Sequence, residues 1–155
     1  MEKNTGEILN VNSVESDTLE AIKKQITWSG NGIVPKLVII EGYAFGRQVG
    51  RFFDIGELGG IVKSYLYKNE IPYLIMSPLS LKKWITGSAR GDKSQIIMRI
   101  FKKYKIEFDD NNKADAFVLA RYGYSLNKIS LGQFKLDDFT VYERECVLAF
   151  VKKIK

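Results

Sequence analysis

The chain has 155 residues, 45% hydrophobic and 12% aromatic, which is enough for one folded domain spanning 1–155 and too apolar for a disordered chain. A single cysteine and no histidine exclude an intrachain disulfide, a zinc-ligand pattern and any Ser–His or Cys–His nucleophile. The net charge is +6, and no apolar run approaches the roughly 20 residues of a membrane span, so a soluble, intracellular (cytoplasmic) protein with no membrane partner is expected.

In chain order, Glu7–Val14 alternates weakly and predicts a strand after a Lys3-Asn4-Thr5-Gly6 turn. Asp17 is placed to cap a helix with Leu19, Ile22 and Ile26 as its apolar stripe, ending near Gly30. Leu37-Val38-Ile39-Ile40 is apolar without alternation, the pattern of a strand covered on both faces, and it stops abruptly at Glu41. A buried carboxylate would cost several kcal/mol, so Glu41 is expected at the strand's open end, where α/β sheets bind ligands. A glycine- and aromatic-rich loop follows, Gly42-Tyr43-Ala44-Phe45-Gly46.

From Asp54 the spacing of Ile55, Leu58, Val62 and Tyr65 predicts a helix, with Gly56, Gly59 and Gly60 read as points of close helix packing. Ile71–Met76 predicts a strand, and Ser77-Pro78 the start of a short helix reaching about Ile85. After the turn Thr86–Gly91, Lys93–Tyr104 is helical by the spacing of Ile96, Ile97, Ile100, Phe101 and Tyr104. Asn111 and Asn112 are suitable caps for a helix carrying Asp115, and a last amphipathic helix is expected from about Thr140 to Lys153. Cys146, in Cys146-Val147-Leu148-Ala149, reads as a packed apolar residue. Strands followed by helices define an α/β protein.

Charge is unevenly spread. Residues 1–77 carry 8 basic and 9 acidic groups, whereas residues 78–155 carry 16 and 9. Between Lys82 and Lys105 eight basic residues face one acid, Asp92, which is either a solvated helix surface or the footprint of a polyanion. Glu41 and Asp115 are each ordinary alone, as a strand-end charge and as a carboxylate suited to a helix N-terminus. Without histidine, acid–base work falls to carboxylates, Lys, Tyr or water, and two carboxylates brought together point to Mg²⁺-dependent phosphate chemistry.

The order of these segments is more specific than any of them. Val38-Ile39-Ile40-Glu41, the helix from Asp54, the strand at Ile71, Lys82…Thr86-Gly87…Lys93-Ser94 and Ala114-Asp115-Ala116 together resemble the RuvC family of Holliday-junction endonucleases, and its phage-type members most closely. The resemblance covers roughly residues 5–150. It implies a ribonuclease H-like mixed sheet flanked by helices, and a homodimer acting on branched DNA such as four-way junctions. It also implies phosphodiester hydrolysis with Mg²⁺, or Mn²⁺. By position, Glu41 and Asp115 match metal-binding acids, and Lys82 and Lys93 match residues that contact the DNA backbone. Tyr43 and Phe45 stand where the family places a base-stacking aromatic.

Two departures bear on activity. Asn112 stands three residues before Asp115, where the family has another acid; an amide oxygen can ligate but brings no charge. Thr5-Gly6-Glu7-Ile8 matches the turn between the family's second and third strands, so the first two strands, with an essential aspartate, are expected to be missing from this sequence. Asp109 and Asp110 lie nearby but precede the matching position, and they become candidates to complete the acid set only if the chain cleaves junctions without the first-strand aspartate. The sequence therefore supports a resolvase of impaired activity, an inactive branched-DNA-binding module, or a structural remnant of a larger assembly.

Overall fold

The computed structural model describes residues 34–42, 49–90 and 92–154. The segments expected to form a strand over Glu7–Val14 and a helix after Asp17 lie outside these, as do Tyr43 and Phe45.

Strand β1, Val38–Glu41, pairs in parallel with β2, Tyr73–Met76, with Val38 opposite Tyr73 and Glu41 opposite Met76. Helix α1, Val49–Lys68, makes the crossover between them. The side-chain period of two then sorts the strand residues. Val38 and Ile40 turn to one face and pack with Val62, Tyr65, Leu66 and Ile71 of the α1 side. Ile39 turns to the other face and joins a larger core with Met76, Trp84, Ile100, Val118 and Val147. Covered faces explain why the strand is apolar without alternation. The described strands are parallel; the mixed character expected of the sheet depends on residues outside the described set.

Four helices build the core on the second face, with α4 lying directly against β1. α2, Pro78–Thr86, begins as its Ser77-Pro78 start predicts: the Ser80 N–H donates to Ser77 Oγ at 3.1 Å. It ends at Gly87, whose φ of +83° glycine adopts without a Cβ penalty. α3, Lys93–Tyr104, has the predicted bounds and is capped by Asp92, which accepts the Gln95 N–H at 3.0 Å. α4, Asn111–Ser130, is the long helix against the sheet. A short 3₁₀ turn at Leu136–Asp138, not anticipated from the sequence, leads into α5, Val141–Ile154.

Three expectations are corrected. α1 starts at Val49, five residues before Asp54. α4 is capped by neither Asn111 nor Asn112 but by Asp110, whose Oδ1 accepts the N–H groups of Asn112 and Lys113 at 2.6 and 3.1 Å. The extended backbone at Asp110 brings its carboxylate to the open N–H groups of the first turn, where Asn111 and Asn112 are already helical. Close packing is not found at Gly56 or Gly60, where an added Cβ would meet nothing within 4 Å. It occurs at Gly123 instead.

Candidate functional site

β1 ends at Glu41, and alternation along the strand sends Glu41 to the same face as Ile39. That is the face α4 covers. In α4 the row Asp115–Leu119–Gly123 advances four residues at a time and so follows one side of the helix. At Gly123 this row meets β1, where an added Cβ would lie 2.7 Å from Ile39 Cγ1 and 3.9 Å from Leu37 Cδ2. Glu41 and Asp115 are therefore both carried by the β1–α4 layer, one from the strand end and one from the first turns of the helix. Each is half-buried.

The neighbouring acids are otherwise engaged. Asp110 is the α4 cap, and Asp109 pairs with Lys113 at 3.1 Å, whose ammonium holds the Asp109 carboxyl below the usual range. Asn112 is exposed in the first turn of α4. Among the described residues no group of three or more acidic, histidine or cysteine side chains is gathered closely enough to hold a metal ion. Glu41 and Asp115 nonetheless offer hard anionic oxygens, and Mg²⁺ is commonly held by one or two carboxylates while keeping several waters. The donor chemistry fits.

The basic segment divides into two sets. Lys83 is tied to Glu145 of α5 at 2.5 Å, and Lys103 to Glu143 of α5. Glu143 is 4% exposed and also accepts from the Thr140 N–H and hydroxyl at 3.0 and 2.8 Å, which is the reciprocal cap of α5. Burial pushes the Glu143 carboxyl up, but the Lys103 ammonium and the Thr140 donors outweigh it and hold it below the usual range. These two lysines fasten helices. Lys82, by contrast, is half-buried on α2, close enough to the α3 cap to help lower the Asp92 carboxyl after the stronger effects of Ser94 and Gln95. Lys93 is the first residue of α3, and Arg90, Arg99, Lys102 and Lys105 are exposed.

Between α2 and α3, Thr86 Oγ1 donates to Ser88 O at 2.8 Å and Ser88 Oγ to Arg90 O at 3.2 Å. Hydroxyls thus order the Thr86–Arg90 turn that carries the chain from Lys82 to Lys93. Cys146 is buried, its thiol pushed up chiefly by burial, as a packed residue and not a nucleophile. The Thr140-x-x-Glu143 spacing signals the α5 cap, but no local pattern ties Glu143 or Glu145 to the basic segment.

β1, α1, β2 and the helices that follow form an α/β protein in the segment order read from the sequence, with Glu41 and Asp115 on its β1–α4 layer. The structure is similar to that of Thermus thermophilus RuvC, with a TM-score of 0.50 and 20% identity, over 64% of this chain and 60% of that one. In sequence it is 29% identical over 92 residues to the crossover junction endodeoxyribonuclease RuvC of Carboxydothermus hydrogenoformans, covering 58% of each chain. The chain is thus a relative of the RuvC proteins, and spans about three fifths of the length of those it matches. No family model matches it. Among the described residues, no helix is long and apolar enough to cross a membrane.

Proposed function

We propose that this chain is a RuvC-like, structure-selective DNA endonuclease domain that acts on four-way junctions as a homodimer. The observation that carries this reading is the placement of Glu41 at the end of β1 and Asp115 near the start of α4, both on the layer between strand and helix. Glu41 and Asp115 would hold Mg²⁺ or Mn²⁺. Such ions, when bound, stabilise charge developing on the phosphodiester oxygens. Lys82 and Lys93 neutralise backbone phosphates on either side of the Thr86–Arg90 turn, and Tyr43 and Phe45 stack on unpaired bases at the junction centre.

A second reading is a branched-DNA-binding module without cleavage. Asn112 favours it, because that position adds no negative charge beside Asp115. The experiment that decides is cleavage of a synthetic four-way junction in Mg²⁺ and in Mn²⁺, with Glu41→Gln and Asp115→Asn as controls. The nuclease reading expects metal-dependent strand scission that both variants lose while junction binding persists. Binding without scission in either metal selects the second reading. Scission that survives chelation, or survives in both variants, removes this site from consideration.

A further inference from the structure

Arg121 lies six residues beyond Asp115 on α4, about 120° around the helix, and so belongs to a different side of the molecule. Its guanidinium carbon is 5.0 Å from the centre of the Tyr104 ring of α3 and 4.9 Å from that of Tyr124. Lys103 Nζ lies 5.5 Å from the Tyr104 ring and Lys128 Nζ 5.3 Å from the Tyr124 ring. Cations and rings therefore alternate across two helices in the order Lys103, Tyr104, Arg121, Tyr124, Lys128.

The charges along this ladder do not balance. Lys103 is neutralised by Glu143, whereas among the described residues Lys128 donates only to the neutral amide of Gln133 at 2.6 Å. Arg121 makes neither an ion pair nor a side-chain hydrogen bond with any described residue, and its Nε is buried without an acceptor. The residue as a whole is only half-buried, so its side chain is enclosed at Nε without being shut off from solvent altogether. Ring contacts and enclosure of Nε fix the plane of the guanidinium, while its outer edge presents a fork of N–H donors. Such a fork matches oxyanions bidentately, and holding it in advance reduces the ordering cost of binding. Placement of Lys103 and Lys128 near helix C-termini accounts for those two cations through the helix dipole. It does not account for Arg121, which sits in the interior of α4.

We propose that Arg121, oriented by Tyr104 and Tyr124 and assisted by Lys128, is a binding site for a phosphate-class oxyanion, separate from the Glu41–Asp115 layer. A free phosphate and a phosphodiester of a nucleic-acid strand present the same oxygens to this fork. The site requires no cleavage activity, and its test is independent of that reading.

The test follows the Nε–Hε resonance of Arg121 in ¹⁵N-arginine-labelled protein, assigned by its loss in Arg121→Lys. Inorganic phosphate and a short oligothymidylate are titrated separately, with sodium chloride at matched ionic strength as reference. A saturable shift with either probe, absent with chloride, is expected. Saturation by oligothymidylate at a concentration at least about tenfold lower identifies a strand as the natural source, since further contacts add to the same fork; saturation by phosphate alone identifies a free oxyanion. In the strand case, Arg121→Lys also lowers the salt dependence of oligothymidylate binding by up to about 0.7 in log–log slope, the share of one single-strand phosphate contact. No shift with either probe, or one that chloride reproduces, overturns the proposal. Because the wild-type resonance is the primary readout, a poorly folding variant does not blunt the test; assignment then comes from triple-resonance spectra.

Discussion

Gly123 of α4 faces Ile39 of β1 so closely that an added Cβ would lie 2.7 Å from Ile39 Cγ1. The helix rides on the strand because this position has no side chain. The consequence reaches the candidate site, since Asp115 stands two turns back along the row that ends at Gly123, and Glu41 lies two residues beyond Ile39 on the same strand face.

Gly123→Ala should therefore destabilise the fold by about 1–3 kcal/mol through overpacking. The control is Gly60→Ala, at an exposed helical position where a Cβ meets nothing within 4 Å. It should stabilise by about 0.5–1 kcal/mol, because glycine loses more chain entropy in a helix than alanine. Chemical denaturation of the two variants checks both signs; equal effects would mean that α4 does not approach β1 as described.

The Lys103–Glu143 pair predicts a two-sided pH dependence. Glu143 titrates below its ordinary value of 4.5, so its stabilisation is complete above that pH and is lost as pH falls through the lower folded value. For Lys103, burial pushes the ammonium down, but Glu143 and the Tyr104 hydroxyl together more than offset this and raise it above 10.5. Its stabilisation is complete below 10.5 and is lost as pH rises through the folded value. Glu143→Gln should cost about 1–2 kcal/mol at neutral pH and flatten the acid limb, as thermal melts across pH would read.

The two lysine sets separate by salt dependence. Lys82→Ala combined with Lys93→Ala should reduce the log–log salt slope of four-way-junction binding by up to about two units, near 0.9 per contact. Lys83→Ala, which removes a partner of Glu145, should leave that slope nearly unchanged. An equal effect of Lys83 would show that the ion pair opens on binding and that the division into structural and DNA-facing lysines fails.

Tyr43→Ala and Phe45→Ala should leave the salt slope in place, because stacking releases no counterions. Loss of one stack should weaken junction binding by about 1–3 kcal/mol while duplex binding is kept. Competition binding between junction and duplex reads this directly, and an equal loss on both substrates would assign the aromatics to folding.

Asn112→Asp tests the departure beside Asp115. The change should strengthen Mn²⁺ binding, measured calorimetrically, by adding a charged oxygen one turn from Asp115. If the affinity is unchanged, position 112 lies outside the ion's reach and Asp115 acts without it.

Much of the local structure was legible in the sequence because its causes are local. Ser77-Pro78 starts α2, the spacing from Ile96 to Tyr104 marks α3, and the apolar run before Glu41 reads as a strand covered on both faces. Glu41 and Asp115 were legible as candidates through the order of segments. Tertiary structure decided what those residues meet. Asp110 rather than Asn112 caps α4, because capping depends on which side chain the entering backbone brings to the open N–H groups. Lys83 and Lys103 are indistinguishable from Lys82 in a basic run until α5 supplies Glu145 and Glu143 across the chain. Composition could count eight positive charges between Lys82 and Lys105, but only packing could assign some to hold helices together and leave others toward solvent. The same holds for glycine: Gly56 and Gly60 look like packing positions and Gly123 does not, yet only the approach of a strand about 80 residues away in the chain makes a missing Cβ matter.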